Sequence, residues 1–184
     1  MSCRLMKQLV LVALICCCAW PVLSDHAPEW LVSLAEPETT LARIVVGETT
    51  VAQAEKLYGP ADASKVVAED GTETEYVWHL PLSELQATTI HPRNEAAGTQ
   101  TIYAVEVRQR QGRRSNARTG AGVAIGADLD ALIRAYGPRY MTSWSKGLGE
   151  SGTVSFVFNN ETELSAGFSD AGTITSLLLV ESQE

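Results

Sequence analysis

The sequence predicts an α+β protein made of two tandem βαβββ-like repeats, each with a short helix packed on an antiparallel sheet. A self-match indicates the duplication, because the segment at 46–60 aligns with the segment at 125–138 when one residue is dropped. Both segments end in Tyr-Gly-Pro, and the two triplets lie about 80 residues apart, a suitable length for one small unit. Strand-like alternation of apolar and polar residues follows each triplet.

Both copies carry the signals of a short capped helix. Thr50, with Gln53 three residues later, is predicted to cap the first helix, and Asp128 the second, because their side chains can accept from unpaired N–H groups of the first turn. One apolar stripe in each copy indicates the buried side: Val51, Ala54 and Tyr58 in the first, and Leu129, Leu132, Ile133 and Tyr136 in the second. The Gly-Pro pair that follows ends each helix.

A short strand before each helix and several strands after it complete the predicted unit. In the first copy the later strands are expected at 65–67, 74–80, 85–90 and 101–109. In the second they are expected at 140–144, 153–158, 161–169 and 173–180, after a lead-in strand at 123–125. Such a meander leaves one sheet face for its helix and the other face free.

The predicted organisation therefore has five parts. They are a signal peptide at 1–24, an N-terminal arm at 25–42, repeat one at 43–110, an Arg-rich linker at 111–121 and repeat two at 122–184.

The first part has the pattern of an export signal. Arg4 and Lys7 precede an apolar stretch at 9–20, and Ser24 provides a small residue for cleavage before Asp25. The stretch is shorter than the roughly 20 apolar residues that a membrane-spanning helix needs. A periplasmic or secreted protein is the expectation, and a lipid anchor at Cys17 or Cys18 is the alternative.

Composition excludes several classes of protein. The 184 residues include 14 Lys and Arg against 22 Asp and Glu, for a formal charge of −8, which argues against a nucleic-acid binder. All four cysteines, at positions 3, 16, 17 and 18, precede the predicted cleavage point. The mature chain would thus have no disulfide, thiol chemistry or Cys-bound zinc.

The order of a lead-in strand, a glycine, a short amphipathic helix and Gly-Pro, followed by aromatic-rich strands, resembles a known repeat. It is the repeat of the SmpA/OmlA outer-membrane assembly lipoproteins and of the β-lactamase inhibitor proteins that share its fold. The similar stretches are 43–60 with 76–80, and 122–138 with 153–180. The resemblance implies a non-catalytic envelope or secreted protein that binds another protein through its sheet face.

Two groups of residues are candidates for binding. An aromatic group is either core or a recognition surface on the sheet: Tyr76, Trp78, Trp144, Phe156 and Phe158. An arginine group at the end of repeat one and in the linker is either a solvated hairpin or a patch for an anionic partner: Arg108, Arg110, Arg113, Arg114 and Arg118. Clustered arginines attract phosphates and carboxylates, so lipid head groups, lipopolysaccharide or an acidic protein are the partners considered.

Catalytic and cofactor motifs are weak. The glycine-rich stretches at 120–126 and 147–152 lack the strand-turn-helix context of a dinucleotide site. His79 could form an acid–base site with Glu73 and Glu75, but alternation places all three on a polar strand face. We therefore expect no catalytic residue, metal site or cofactor.

The sequence predicts an exported, non-catalytic protein-binding module of the bacterial cell envelope. Its expected partner is another envelope or secreted protein, with anionic lipid or lipopolysaccharide at the linker as a further candidate, and no nucleic acid. One alternative is an inhibitor of a secreted or periplasmic enzyme. The alternative from a different class is a small carboxylate-dependent hydrolase.

Overall fold

The computed structural model of the protein describes residues 33, 35–68, 72–90, 99–110, 115–144, 152–159 and 162–181. The strands are β1 (Thr40–Leu41), β2 (Ile44–Val45), β3 (Ala63–Val66), β4 (Glu73–His79), β5 (Ser83–Ile90), β6 (Ile102–Gln109), β7 (Met141–Ser143), β8 (Gly152–Phe158), β9 (Thr162–Phe168) and β10 (Ile174–Glu181). The helices are α1 (Val51–Tyr58) and α2 (Leu129–Tyr136). The predicted signal peptide, its cleavage point and all four cysteines lie outside the described residues.

The described chain is mostly β, so the predicted α+β class with two βαβββ-like repeats is wrong. One antiparallel sheet holds eight strands in the order β3-β4-β5-β6-β10-β9-β8-β7. The lead-in segments do not join it, because β2 pairs with β1 in a separate hairpin and Ala124 makes only an isolated bridge with Arg118. Pairing of β6 with β10, with Val107 opposite Leu177, merges the two predicted sheets into one.

Both helices begin and end where the sequence predicted. Thr50 and Gln53 form a reciprocal capping box at the start of α1, and the Asp128 side chain accepts from the backbone N–H of Ala131 in α2. Gly59 and Gly137 follow the helices with φ of 86° and 84°, a conformation that a side chain would disfavour. The two helices have only eight residues each, whereas eight strands form one sheet, so the described chain is mostly β.

In both halves of the chain, a glycine that precedes the helix is hydrogen-bonded to the sheet. The N–H of Gly47 donates to the carbonyl of Ile102, and the N–H of Gly126 donates to the carbonyl of Ile174, each at 2.9 Å. Ile102 and Ile174 begin β6 and β10, the two strands that pair at the centre of the sheet. The segment before each helix is thereby attached to β6 in the first half and to β10 in the second.

The core lies between the sheet and the two helices. A row of buried side chains crosses six strands on this face: Trp78, Leu85, Val107, Leu177, Ala166 and Val154. Ala54 of α1 and Leu132 of α2 are fully buried in the same cluster. Removal of this apolar surface from water is the main contribution to stability.

Within the described ranges, no helix combines the length and the apolar character needed to cross a bilayer.

Candidate functional site

The sheet face opposite the helices, here called the open face, is polar and acidic. Alternation along the strands and the cross-strand register assign its side chains. Its charged residues are five glutamates and two cations: Glu73, Glu75, Glu84, Glu106, Glu163, Lys65 and Arg108. Half-buried apolar residues lie between them, namely Val77, Val157, Leu178 and Val180. The face therefore combines negative charge with apolar contact area.

One of the two cations on the open face is already neutralised. Arg108 donates from Nε and from Nη2 to the two carboxylate oxygens of Glu106, at 2.6 and 3.0 Å. His79 Nδ1 lies 3.3 Å from Glu84 Oε2, and the two side chains are 47% and 36% exposed. His79 thus lies on a solvent-facing strand surface, as the sequence predicted, and is paired with a carboxylate other than the two considered there.

The predicted aromatic group does not form a recognition surface. Trp78 is 1% exposed, and Phe156 and Phe158 are fully buried beneath the helices. Tyr76 lies on the same helix-covered face, and its hydroxyl donates to the side-chain oxygen of Gln100 at 2.9 Å. Trp144 alone among the five is largely exposed, at 76%. The core interpretation holds for the aromatics of β4 and β8.

The predicted arginine group is divided by the fold. Arg108 lies on the open face with Glu106, and Arg110 is exposed just beyond the end of β6. Arg113 and Arg114 lie outside the described residues. Arg118 lines a cavity on the helix side of the sheet, which is a different environment from that of Arg108.

This cavity has a volume of about 600 Å³. It is formed by four parts of the chain: the β1–β2 turn, the end of α1, the β4–β5 turn and the segment at 115–119. Among its described lining residues are Arg43 and Arg118, and no Asp or Glu is found among them. Sequence reasoning missed the cavity because its walls come from segments far apart in the chain, and Arg118 is the single described lining residue that belongs to the predicted binding groups.

The turn that carries Arg43 has an uncommon backbone. Ala42 and Arg43 have φ of 51° and 65°, the left-handed region that costs a residue with a side chain about 1–2 kcal/mol. Two contacts hold this turn, because the N–H of Ala42 donates to the carbonyl of Arg118 at 2.9 Å and the hydroxyl of Tyr58 donates to the carbonyl of Ala42. The backbone of the turn that carries Arg43 is therefore held beside the cavity in spite of the local cost.

The positive charge of Arg43 influences the hydroxyl of Tyr58, which also lines the cavity. Burial raises the pKa of the Tyr58 hydroxyl, and the positive charge of Arg43 opposes part of that increase. The Tyr58 hydroxyl therefore stays protonated at neutral pH and remains the donor that holds the turn.

A buried carboxylate fixes the segment that presents Arg118. Glu38 is 5% exposed and accepts from the N–H of Thr40 at 2.9 Å, the N–H of Ala121 at 3.1 Å and the hydroxyl of Tyr136 at 2.5 Å. The Tyr136 hydroxyl also lies 2.6 Å from the side-chain oxygen of Thr119. Burial, together with the hydrogen bond to Glu38, raises the pKa of Tyr136. These contacts are structural, since they join the arm, the linker and α2.

In the described part of the chain, no group of three or more His, Cys, Asp or Glu is placed to hold a metal ion.

Comparison with known proteins assigns no family. No family model matches the chain, and no curated protein matches it. Among solved structures, the chain is similar to a DUF4309 family protein, YjgB, from Bacillus subtilis subsp. subtilis str. 168, with 13% sequence identity. The alignment covers 80% of this chain and 88% of that one, with a TM-score of 0.41. A likeness at this level transfers no function to this chain.

Proposed function

We propose that this protein is an exported, non-catalytic binding module of the bacterial cell envelope, and that its open face binds a basic surface of another protein. The observation that carries the proposal is the excess of carboxylates on that face. Five glutamates stand against Lys65 and Arg108, and Arg108 is already paired with Glu106. The surface presented to a partner is consequently negative.

Charge complementarity of this kind guides association. Opposite charges increase the rate of productive encounters and disfavour partners of the wrong sign. The apolar residues between the glutamates supply the remaining contact area, because a typical transient interface is little more apolar than the rest of a protein surface. Both helices pack on the other face, so neither would have to move for a partner to dock.

The sequence resemblance supports the same mode of action. The SmpA/OmlA repeat and the related inhibitor proteins imply binding through a sheet face, and the proposal includes an inhibitor of a secreted enzyme as one form of it. The export signal at 1–24, or a lipid anchor at Cys17 or Cys18, belongs to the same proposal. The hydrolase alternative gains no support, because the exposed His79–Glu84 pair lies on the open face and does not line the cavity beside Arg118.

Affinity capture from a native envelope fraction tests the proposal. The bait is the chain beginning at Asp25, compared with a variant that carries Glu75→Gln, Glu106→Gln and Glu163→Gln on the open face. A control variant carries Glu36→Gln, Glu48→Gln and Glu55→Gln, which removes the same charge from exposed positions away from that face. We expect the wild type and the control to retain one basic partner, with affinity that falls as salt is raised.

The open-face variant should bind that partner at least about tenfold more weakly. Equal capture by the two variants, or capture of no specific protein by the wild type, would contradict the proposal.

A further inference from the structure

The cavity beside Arg43 has the character of a ligand site. Its volume of about 600 Å³ falls within the roughly 300–1,000 Å³ typical of small-molecule pockets. Its walls are largely apolar, formed by Ala42, Leu80, Pro81, Leu82, Ala117 and the side chain of Tyr58. An apolar molecule would be well accommodated along these walls.

The two arginines at this cavity have no carboxylate partner among the described residues. Two other arginines of this acidic chain do have one, since Arg108 pairs with Glu106 and Arg134 lies 3.5 Å from Asp128. Arg118 donates instead to a neutral acceptor, the carbonyl of Gly122 at 3.2 Å. Two guanidinium groups beside an apolar space favour a ligand that brings the missing negative charge.

The strained backbone of the β1–β2 turn also indicates that the cavity is a ligand site. The two central residues of the β1–β2 turn both have positive φ, where Asn and Gly are usual because they bear that conformation at little cost. Here the positions are Ala42 and Arg43. Strained backbone that the surroundings hold in place is a recurrent feature of functional sites. An arginine at this strained position is explained if its side chain binds a ligand in the cavity.

The backbone also brings the two arginines together. Leu41 pairs with Thr119, and the N–H of Ala42 donates to the carbonyl of Arg118, so the turn that carries Arg43 lies beside the segment that carries Arg118. The Glu38 contacts with Thr40 and Ala121 join these two parts of the chain. The pair is thus positioned before any ligand arrives, which reduces the cost of binding.

We propose that this cavity binds a fatty acid, with the acyl chain along the apolar walls and the carboxylate between Arg43 and Arg118. Each guanidinium can donate two parallel hydrogen bonds to a carboxylate, a geometry that a neutral head group cannot reproduce. The site lies on the helix side of the sheet and is independent of the open face, so its existence does not rest on the proposed protein partner.

Calorimetric titration with laurate, below its micellar concentration, tests the assignment. Dodecyl maltoside and dodecyltrimethylammonium carry the same chain with a neutral and a cationic head. We expect one laurate to bind per protein and the other two to bind at least about tenfold more weakly, as loss of a charge-assisted hydrogen bond implies. Absence of laurate binding, or equal affinity for all three, would overturn the proposal.

Arginine variants locate the head group. Arg43→Gln and Arg118→Gln should each weaken laurate binding by about tenfold or more, whereas Arg134→Gln, an exposed position on α2, should bind as the wild type does. Equal behaviour of the three variants would refute the assignment of Arg43 and Arg118. Arg43→Gly separates folding from binding, because glycine relieves the strained turn and should give a well-folded protein with the same loss of laurate affinity.

Vesicles distinguish a bound fatty acid from a membrane surface. The probe is phosphatidylcholine vesicles with and without phosphatidylglycerol. Binding that needs Arg43 and the anionic vesicles, in a protein that does not bind monomeric laurate, would replace the cavity ligand by a membrane-contact role. Laurate binding without vesicle binding is the outcome expected.

Discussion

Replacement of Glu38 by alanine should be among the most destabilising single changes in this protein. The Glu38 carboxylate is 5% exposed and accepts from three different parts of the chain: Thr40 in β1, Ala121 in the linker and Tyr136 in α2. After Glu38→Ala, the N–H groups of Thr40 and Ala121 lose their acceptor, and water can replace it only in part at the half-buried Thr40 and more readily at the exposed Ala121. The Tyr136 hydroxyl keeps a neighbour in Thr119 Oγ1.

The magnitude follows from those contacts. A lost hydrogen bond to a charged group costs about 1.5–3 kcal/mol, and because water partly replaces the acceptor at Thr40 and Ala121, the two N–H groups together predict a loss of about 2–4 kcal/mol in the free energy of unfolding. Typical domains have about 5–15 kcal/mol in total, which makes this a large fraction. Tyr136→Phe leaves both N–H donors on Glu38 and should cost about 1–3 kcal/mol. The double variant should lose less than the sum, since the two residues share one hydrogen bond.

Urea unfolding followed by circular dichroism measures these differences, provided that the slope against urea is the same for all variants. Glu36→Ala is the control, because Glu36 is exposed and two residues away. If Glu38→Ala and Glu36→Ala unfold within about 0.5 kcal/mol of each other, the usual range for surface substitutions, the structural role of Glu38 is refuted.

Two further predictions concern the cavity turn and the tyrosines. Arg43→Asn should raise the free energy of unfolding by about 0.5–1 kcal/mol, because asparagine tolerates the positive φ of position 43 better than arginine does; an unchanged or lower urea midpoint would contradict this. Stability should fall as pH rises above about 10, the ordinary tyrosine pKa. Burial raises the pKa of Tyr58, Tyr76, Tyr103 and Tyr136 in the folded chain, so the unfolded chain releases protons that the folded one retains. Urea midpoints from pH 8 to 11 should show this decline, and Tyr136→Phe should make it shallower; a midpoint independent of pH would contradict it.

Local features of the fold could be predicted from the sequence, while its assembly could not. Thr50 and Asp128 act within one helical turn, so their capping roles are evident from neighbours in the chain. Pairing of β6 with β10 joins strands from opposite halves, and no local pattern indicates it. That pairing converts two expected sheets into one and makes the chain mostly β.

The candidate sites likewise depend on contacts between distant parts of the chain, which the sequence does not reveal. Alternation placed Trp78 and His79 on opposite faces of β4, but it did not decide whether the face of Trp78 is core or a recognition surface. The cavity was hidden for a similar reason, since Ala42 and Arg43 lack the Asn or Gly that usually indicates a tight turn. Four separate segments had to meet before the two arginines could be recognised as neighbours.

Photocrosslinking tests most directly whether the open face binds a partner. A photoreactive phenylalanine analogue is placed at Val77 or at Val180 on the open face, and at Leu57 on α1, which is 39% exposed on the other side of the sheet. Irradiation in a native envelope fraction should give the same adduct from Val77 and Val180 and none from Leu57. An adduct from Leu57 with none from the two open-face positions would contradict the proposal.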